Sequence, residues 1–280
     1  MSMWRSLIVL ALVAPAPAAW AYKCTRTAIT SGPSLTWRAR QVSWVLDSDL
    51  TGDIADKAAT RAAIEASFQA WTDVPCSDLA FVLAEVRGDV VAEAPDAGPF
   101  ENVVTFVAGG WDYDRAIIAL TTTTFDDRGQ IKDADIELND QHFEFFVDGK
   151  ACAPAVGRMD LRNTLTHEVG HVLGLDHPPI GPAYEDATMY ASAPPCETIK
   201  RSLADDDMAG LCAIYPIGAA NQPCFPADGS GFVVVDEDDG LGCTTTGGAL
   251  GPTLGALVLG WVARRERRAR GAGARSSRGA

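Results

Sequence analysis

The sequence predicts an α+β domain, a β-sheet accompanied by three helices, followed by a chemically distinct tail. Three observations predict it. Short runs with β-branched residues and partial period-two alternation recur between Leu35 and Asp140. Three other segments show helical spacing instead, and one of them carries most of the chain's histidine. After Gly218 the composition turns polar, then Gly-rich and apolar, then arginine-rich. The 280 residues suffice for one good-sized domain with extensions, and an apolar fraction of 47% suits a globular core.

The first element is not part of the fold. MSMWRSLIVLALVAPAPAAWA has one arginine, an apolar run and Ala19-Trp20-Ala21, so residues 1–21 read as a secretory signal peptide. An uncleaved membrane anchor is the alternative, but the run is short for a span. The domain then runs from 22 to 217. WRARQVSWVLDSD puts Val42, Trp44 and Leu46 on one face of a strand. In DIADKAATRAAIEASFQAWTDV, Ile54, Ala58, Ala62, Ile64, Phe68 and Trp71 recur at helical spacing, with Asp53 as the expected cap and Pro75 as the stop. LAFVLAEV, NVVTFVAGGW and IIALTTTTFD read as strands, and a turn at Asp126–Gly129 leads into IKDADIELND. A second helix is expected over Asp160–Leu175. SLADDDMAGLCAIYP reads as a short third helix that stops at Pro216. Residues 218–242 read as an acidic, Gly-rich linker pinned at Cys224, and 243–280 as a separate tail.

The net charge is −14; without Arg5 and the arginine-rich end, residues 22–263 hold 15 basic and 36 acidic residues. That balance argues against nucleic acid or an anionic membrane as partner and favours cation sites. Of seven cysteines, six lie in the body: Cys24, Cys76, Cys152, Cys196, Cys212 and Cys224. In an exported chain they can form up to three disulfides, with fifteen pairings open. The seventh, Cys243, opens the tail CTTTGGALGPTLGALVLGWVARRERRARGAGARSSRGA. A cysteine, an apolar stretch and an arginine cluster resemble the C-terminal sorting tails of surface proteins in myxobacteria and their relatives. That resemblance makes Cys243 the processing and attachment residue, and it implies an exported protein held at the cell surface only through this tail, or released from it. A plain membrane anchor is the rival reading.

The chemistry lies in HEVGHVLGLDH, residues 167–177, which holds three of the four histidines. Residues four apart share one helix face, so His167 and His171 can point at one ion. Gly174 allows the left-handed conformation that ends a helix, and His177 can return as a third ligand. Three neutral nitrogens leave a tetrahedral zinc with one position for water. Zinc lowers the pKa of that water, and Glu168 can take its proton.

With these residues the sequence resembles the metzincin metalloproteases, and within them the matrixin branch. The resemblance covers roughly 35–216 and implies a twisted mixed sheet with three helices and an active-site cleft. Met189, followed by Tyr190, matches the methionine turn beneath the metal. Asp206, Asp207, Gly210 and Tyr215 match the family's final helix, and Phe68-Gln69-Ala70-Trp71 its first. Pro178 and the long interval from His177 to Met189 depart from the pattern, so pocket preference does not carry over. Asp135 stands where animal matrixins place a histidine for a structural zinc, so no second zinc is expected. Cys24 is expected in a disulfide, because YKCTRT does not match the family's inhibitory cysteine.

Asp133, Asp135 and Glu137 alternate and so share a strand face. They could ligate calcium or form a solvated face. His142 reads as an ordinary surface or strand residue, and Phe143, Phe145 and Phe146 as core. The expected activity is hydrolysis of protein or peptide by a monomeric zinc endopeptidase, the substrate adding as a strand beside IIALTTTT. A non-catalytic surface adhesion protein and a cell-wall peptide amidase are the alternatives. Loss of Glu168 or a histidine would mark the former, and neither is lost; only the cleft separates the latter.

Overall fold

The computed structural model describes residues 22–28, 31–92, 99–148, 158–222 and 242–249, with Cys152 and Cys224. Residues 1–21, read as a signal peptide, most of residues 218–242, read as a linker, and the arginine-rich end lie outside the described residues. In chain order the strands are β1 (Lys23–Cys24), β2 (Arg26–Ala28), β3 (Ser31–Ser34), β4 (Gln41–Asp47), β5 (Ala80–Arg87), β6 (Asn102–Phe106), β7 (Ile117–Phe125), β8 (Ile131–Leu138), β9 (Glu144–Phe146), β10 (Arg158–Asp160), β11 (Leu175–Asp176) and β12 (Gly242–Ala249). The helices are α1 (Lys57–Thr72), α2 (Leu161–Val172) and α3 (Asp205–Ile214).

The main sheet has the order β12-β7-β8-β6-β4-β5. β7 and β8 are antiparallel, and every other neighbouring pair is parallel. The expected mixed sheet with three helices is what the chain forms. Val42, Trp44 and Leu46 are buried as their spacing predicts. Trp44 stacks on Phe68 of α1 with ring centroids 4.0 Å apart, and Phe81 of β5 meets the same ring edge-on. Trp71 ties α1 to α2, its indole donating to the Thr166 carbonyl at 2.8 Å.

One expectation is corrected, and one open alternative is removed. The cap of α1 is Asp56, not Asp53: its Oδ1 accepts from the Ala59 amide at 3.0 Å, three residues on. Asp53 lies too early for that geometry, and its Oδ2 accepts from the Phe145 amide at 2.9 Å. Of the two readings left open for Asp133, Asp135 and Glu137, calcium ligands or a solvated face, the solvated face does not hold for the aspartates. β8 lies inside the sheet between β7 and β6, so Asp133 and Asp135 are each only 2% exposed. Phe143, Phe145 and Phe146 are core, as expected.

Three disulfides join the six body cysteines as Cys24–Cys224, Cys76–Cys212 and Cys152–Cys196. They close separations of 44 to 200 residues. In the loop-entropy model each contributes about 4–5 kcal/mol. Among the described residues, no helix is long and apolar enough to cross a membrane.

Candidate active site

α2 begins at Asp160, whose Oδ1 caps the Asn163 amide at 2.8 Å. Arg201 also grips this carboxylate, donating from Nε at 2.9 Å and again from its terminal nitrogen. From Asn163 to Val172 every residue of the helix is buried. The helix stops at Val172, shorter than expected, because Gly174 takes φ +89° and its amide closes on the His171 carbonyl at 2.9 Å. A Cβ at Gly174 would also stand 2.3 Å from the Leu35 carbonyl oxygen. The position therefore needs glycine for both conformation and space.

The turn brings His177 back to His167 and His171. Their three Nε2 atoms are 3.0–3.1 Å apart. His167 donates from Nδ1 to the Thr188 carbonyl at 2.7 Å, and His171 from Nδ1 to the Leu175 carbonyl at 2.9 Å. Those bonds fix the tautomer in which Nε2 carries a bare lone pair. Burial pushes all three imidazoles below their ordinary range; the His177 charge adds to this at His171, which falls to about 3, the Lys200 charge adds to it at His177, which falls to about 4, and both neighbouring histidines and Lys200 add to it at His167. Three neutral lone pairs facing one point repel one another unless a cation joins them. Nitrogens at this spacing would suit an ion that takes the ordinary zinc–nitrogen bond length of about 2.0–2.1 Å. Among the described residues, these histidines are the one group of three or more such side chains whose ligand atoms converge.

Glu168 is fully buried, and the Thr121 hydroxyl of β7 donates to its Oε2 at 2.6 Å. Below, Met189 packs against the helix at Gly170, where a Cβ would meet the Met189 sulfur at 2.1 Å. Asp207 of α3 holds the backbone at Met189 by accepting from the Thr188 amide at 2.6 Å and the Met189 amide at 3.1 Å. Tyr215 accepts from the Trp37 amide and donates to the Leu173 carbonyl at 2.8 Å, locking the end of α2.

The other predicted residues fall elsewhere. Asp133 and Asp135 lie side by side; Asp135 Oδ1 accepts from the Val103 amide at 2.8 Å. Glu137 does not join them, but receives the Tyr113 hydroxyl at 3.4 Å. Burial pushes both aspartates up, Asp133 to about 6 and Asp135 to about 9; the Asp133 charge raises Asp135 further, whereas the hydrogen bond from Asp135 pulls Asp133 back. His142 is exposed and contacts Asn139. Cys243 falls in β12, at a register shift between Gly242 and Thr244.

Sequence reasoning missed three functional neighbours. Thr121 looked like one β-former in a threonine run, yet it is fully buried against Glu168. Gly170 lies inside the metal motif, where an unbranched helix position signals a close approach. Lys200 is 1% exposed, donating to Ser192 O at 2.7 Å and Glu197 Oε1 at 2.5 Å, while its amide reaches Asn163 on α2. No local pattern marks a lysine for burial.

Comparison with known proteins agrees with the geometry. A family model described as Matrixin matches residues 36–216. Metalloendoproteinase 1 of Glycine max is 40% identical over 65 residues, covering 23% of this chain and 20% of that protein. Metalloendoproteinase 1-MMP of Arabidopsis thaliana is 44% identical over 57 residues, 20% of this chain and 14% of that one. The chain thus spans a fifth or less of the length of these relatives. The family match takes in the whole histidine cluster, Met189 and α3, and on that extent the chain belongs to the matrixin family.

Proposed function

We propose that the chain is an exported, zinc-dependent endopeptidase that hydrolyses peptide bonds in proteins or peptides. The observation that carries this reading is the convergence of three neutral imidazole nitrogens next to a buried glutamate. His167, His171 and His177 would hold the metal through Nε2. Zinc, when bound, polarises a scissile carbonyl and brings the pKa of a coordinated water toward neutrality. Glu168 acts as general base toward the attacking water and then returns the proton to the leaving amine. Thr121 holds one oxygen of that carboxylate, which fixes the orientation of the other. Met189, seated by Asp207 and accommodated by Gly170, forms the floor that keeps the helix and its two histidines in place.

The same reading takes residues 1–21 as a secretory signal and Cys243 as the attachment residue of a surface-anchoring tail. Three disulfides support an oxidising compartment. The protein acts as a monomer. Calcium is a smaller part of the proposal. Because Glu137 does not converge with the other two carboxylates, it rests on Asp133 and Asp135 alone. Their burial and the absence of a hydrogen-bond partner for Asp133 Oδ1 among the described residues support it. Its check is a rise in melting temperature on adding calcium, absent in Asp133→Asn.

The main test is hydrolysis of an unfolded protein by the oxidised, zinc-loaded chain. Chelation should stop the reaction and zinc restore it. Hydrolysis that persists in excess chelator would rule the mechanism out.

A further inference from the structure

The outer edge of β7 is not open. Residues 242–249 pair with it in parallel as β12, with Thr245 opposite Thr121, Thr246 opposite Thr122 and Gly247 opposite Thr123. The local sequence suits this. Thr244, Thr245 and Thr246 are β-branched and face a strand that is itself a run of threonines. An edge strand presents unpaired amides and carbonyls that another segment can take up.

This edge is also next to the chemistry. Thr121, whose backbone pairs with β12, turns its hydroxyl onto Glu168 Oε2 at 2.6 Å. Neighbouring strands lie about 4.8 Å apart, so the tail strand passes one strand spacing from the residue that holds the catalytic carboxylate. A peptide that binds by strand addition beside β7 needs the same amides and carbonyls that β12 already uses.

We propose that the β7 edge is a polypeptide-binding edge whose resident occupant is the chain's own 242–249 segment, which a substrate must displace. The inference rests on the endopeptidase reading for what the displaced strand gives way to. It also gives Cys243 a second consequence: the residue lies at the entrance to β12, so a cut there severs the competing strand from the domain.

The test uses the full chain with Thr245→Pro and Thr246→Pro together. Adjacent residues of a strand direct their amides to opposite edges, so the pair removes a ladder donor in either register. Three measurements are compared with the unsubstituted chain: amide exchange along Leu120–Thr124, cleavage of unfolded casein, and binding of fluorescein-labelled casein in the Glu168→Ala background with zinc. The expected result is faster exchange along β7, a lower KM with unchanged kcat, and casein binding tighter by about tenfold, since a tethered competitor acts at high effective concentration. Unchanged exchange would overturn the proposal by showing that β12 does not hold the edge. Faster exchange with unchanged casein binding would overturn it by separating the edge from the substrate. If the unsubstituted chain fails to cut casein while the proline pair still tightens binding, the endopeptidase reading falls and the shared edge stands.

Discussion

Among the described residues, the histidine cluster and the Asp133–Asp135 pair take titratable side chains out of water in different ways. At the end of α2 and the turn after it, three imidazoles meet with their lone pairs inward, and outward nitrogens of two are tied to backbone carbonyls. On β8, two aspartates lie side by side, with one oxygen of Asp135 on a backbone amide. The first cluster is neutral at no cost in protons and converges on one point. The second carries like charges that burial resists, and it relieves them by keeping a proton or taking a cation. A helix turn and a glycine can aim three side chains at one ion; alternation along a strand only places them on one face. Convergence is therefore what separates the histidine cluster from the acidic one.

The largest effect should come from breaking that convergence. His171→Ala leaves two ligands, and zinc content measured by metal analysis after dialysis should fall from one per chain to near zero, with hydrolysis lost. A variant that keeps its zinc would mean that the three nitrogens do not share an ion.

The next effect sharpens the chemistry beside the centre. Thr121→Val removes one hydrogen bond to a charged group, and kcat should fall about tenfold with little change in KM. Thr121→Ser should recover most of the loss, and both variants should bind zinc normally. Equal rates in all three would reduce Thr121 to packing.

The smallest effect tests the other cluster. The aspartate pair has its carboxyls raised, so the folded state holds protons that the unfolded state releases. Its stabilising contribution is full below the ordinary carboxylate range, about pH 4, and is lost as pH rises toward neutrality and beyond. Asp135→Asn should flatten that decline in urea-unfolding midpoints measured between pH 5 and 9. A midpoint that falls equally steeply in both proteins would place the charge burden elsewhere.

The difference between the clusters also explains what the sequence made legible. His167, His171, Gly174 and His177 are set by local geometry, a helix period followed by one left-handed residue, and the structure places them as their spacing requires. α1 was legible from Ile64, Phe68 and Trp71 for the same reason, although its cap lay one turn later than Asp53. Asp133 and Asp135 were legible as a shared face but not as a buried one. Their burial depends on β6 and β7 flanking β8, a long-range pairing that alternation does not encode. Thr121 and Lys200 owe their roles to partners 47 residues away in Glu168 and 37 away in Asn163. The disulfide pairs were undetermined among fifteen, because chain spacing does not say which cysteines meet. β12 was hidden inside a stretch that read as the start of an anchor.

The central claim is that the histidines hold one zinc and Glu168 does the proton transfer. The most direct measurement compares the zinc-loaded chain with Glu168→Ala on unfolded casein, with metal content determined for both. The account predicts one zinc per chain in each, cleavage by the first, and a loss of on the order of 10²–10⁴ in rate for the second. Comparable cleavage by the two proteins, or a native chain that binds no zinc, would contradict it.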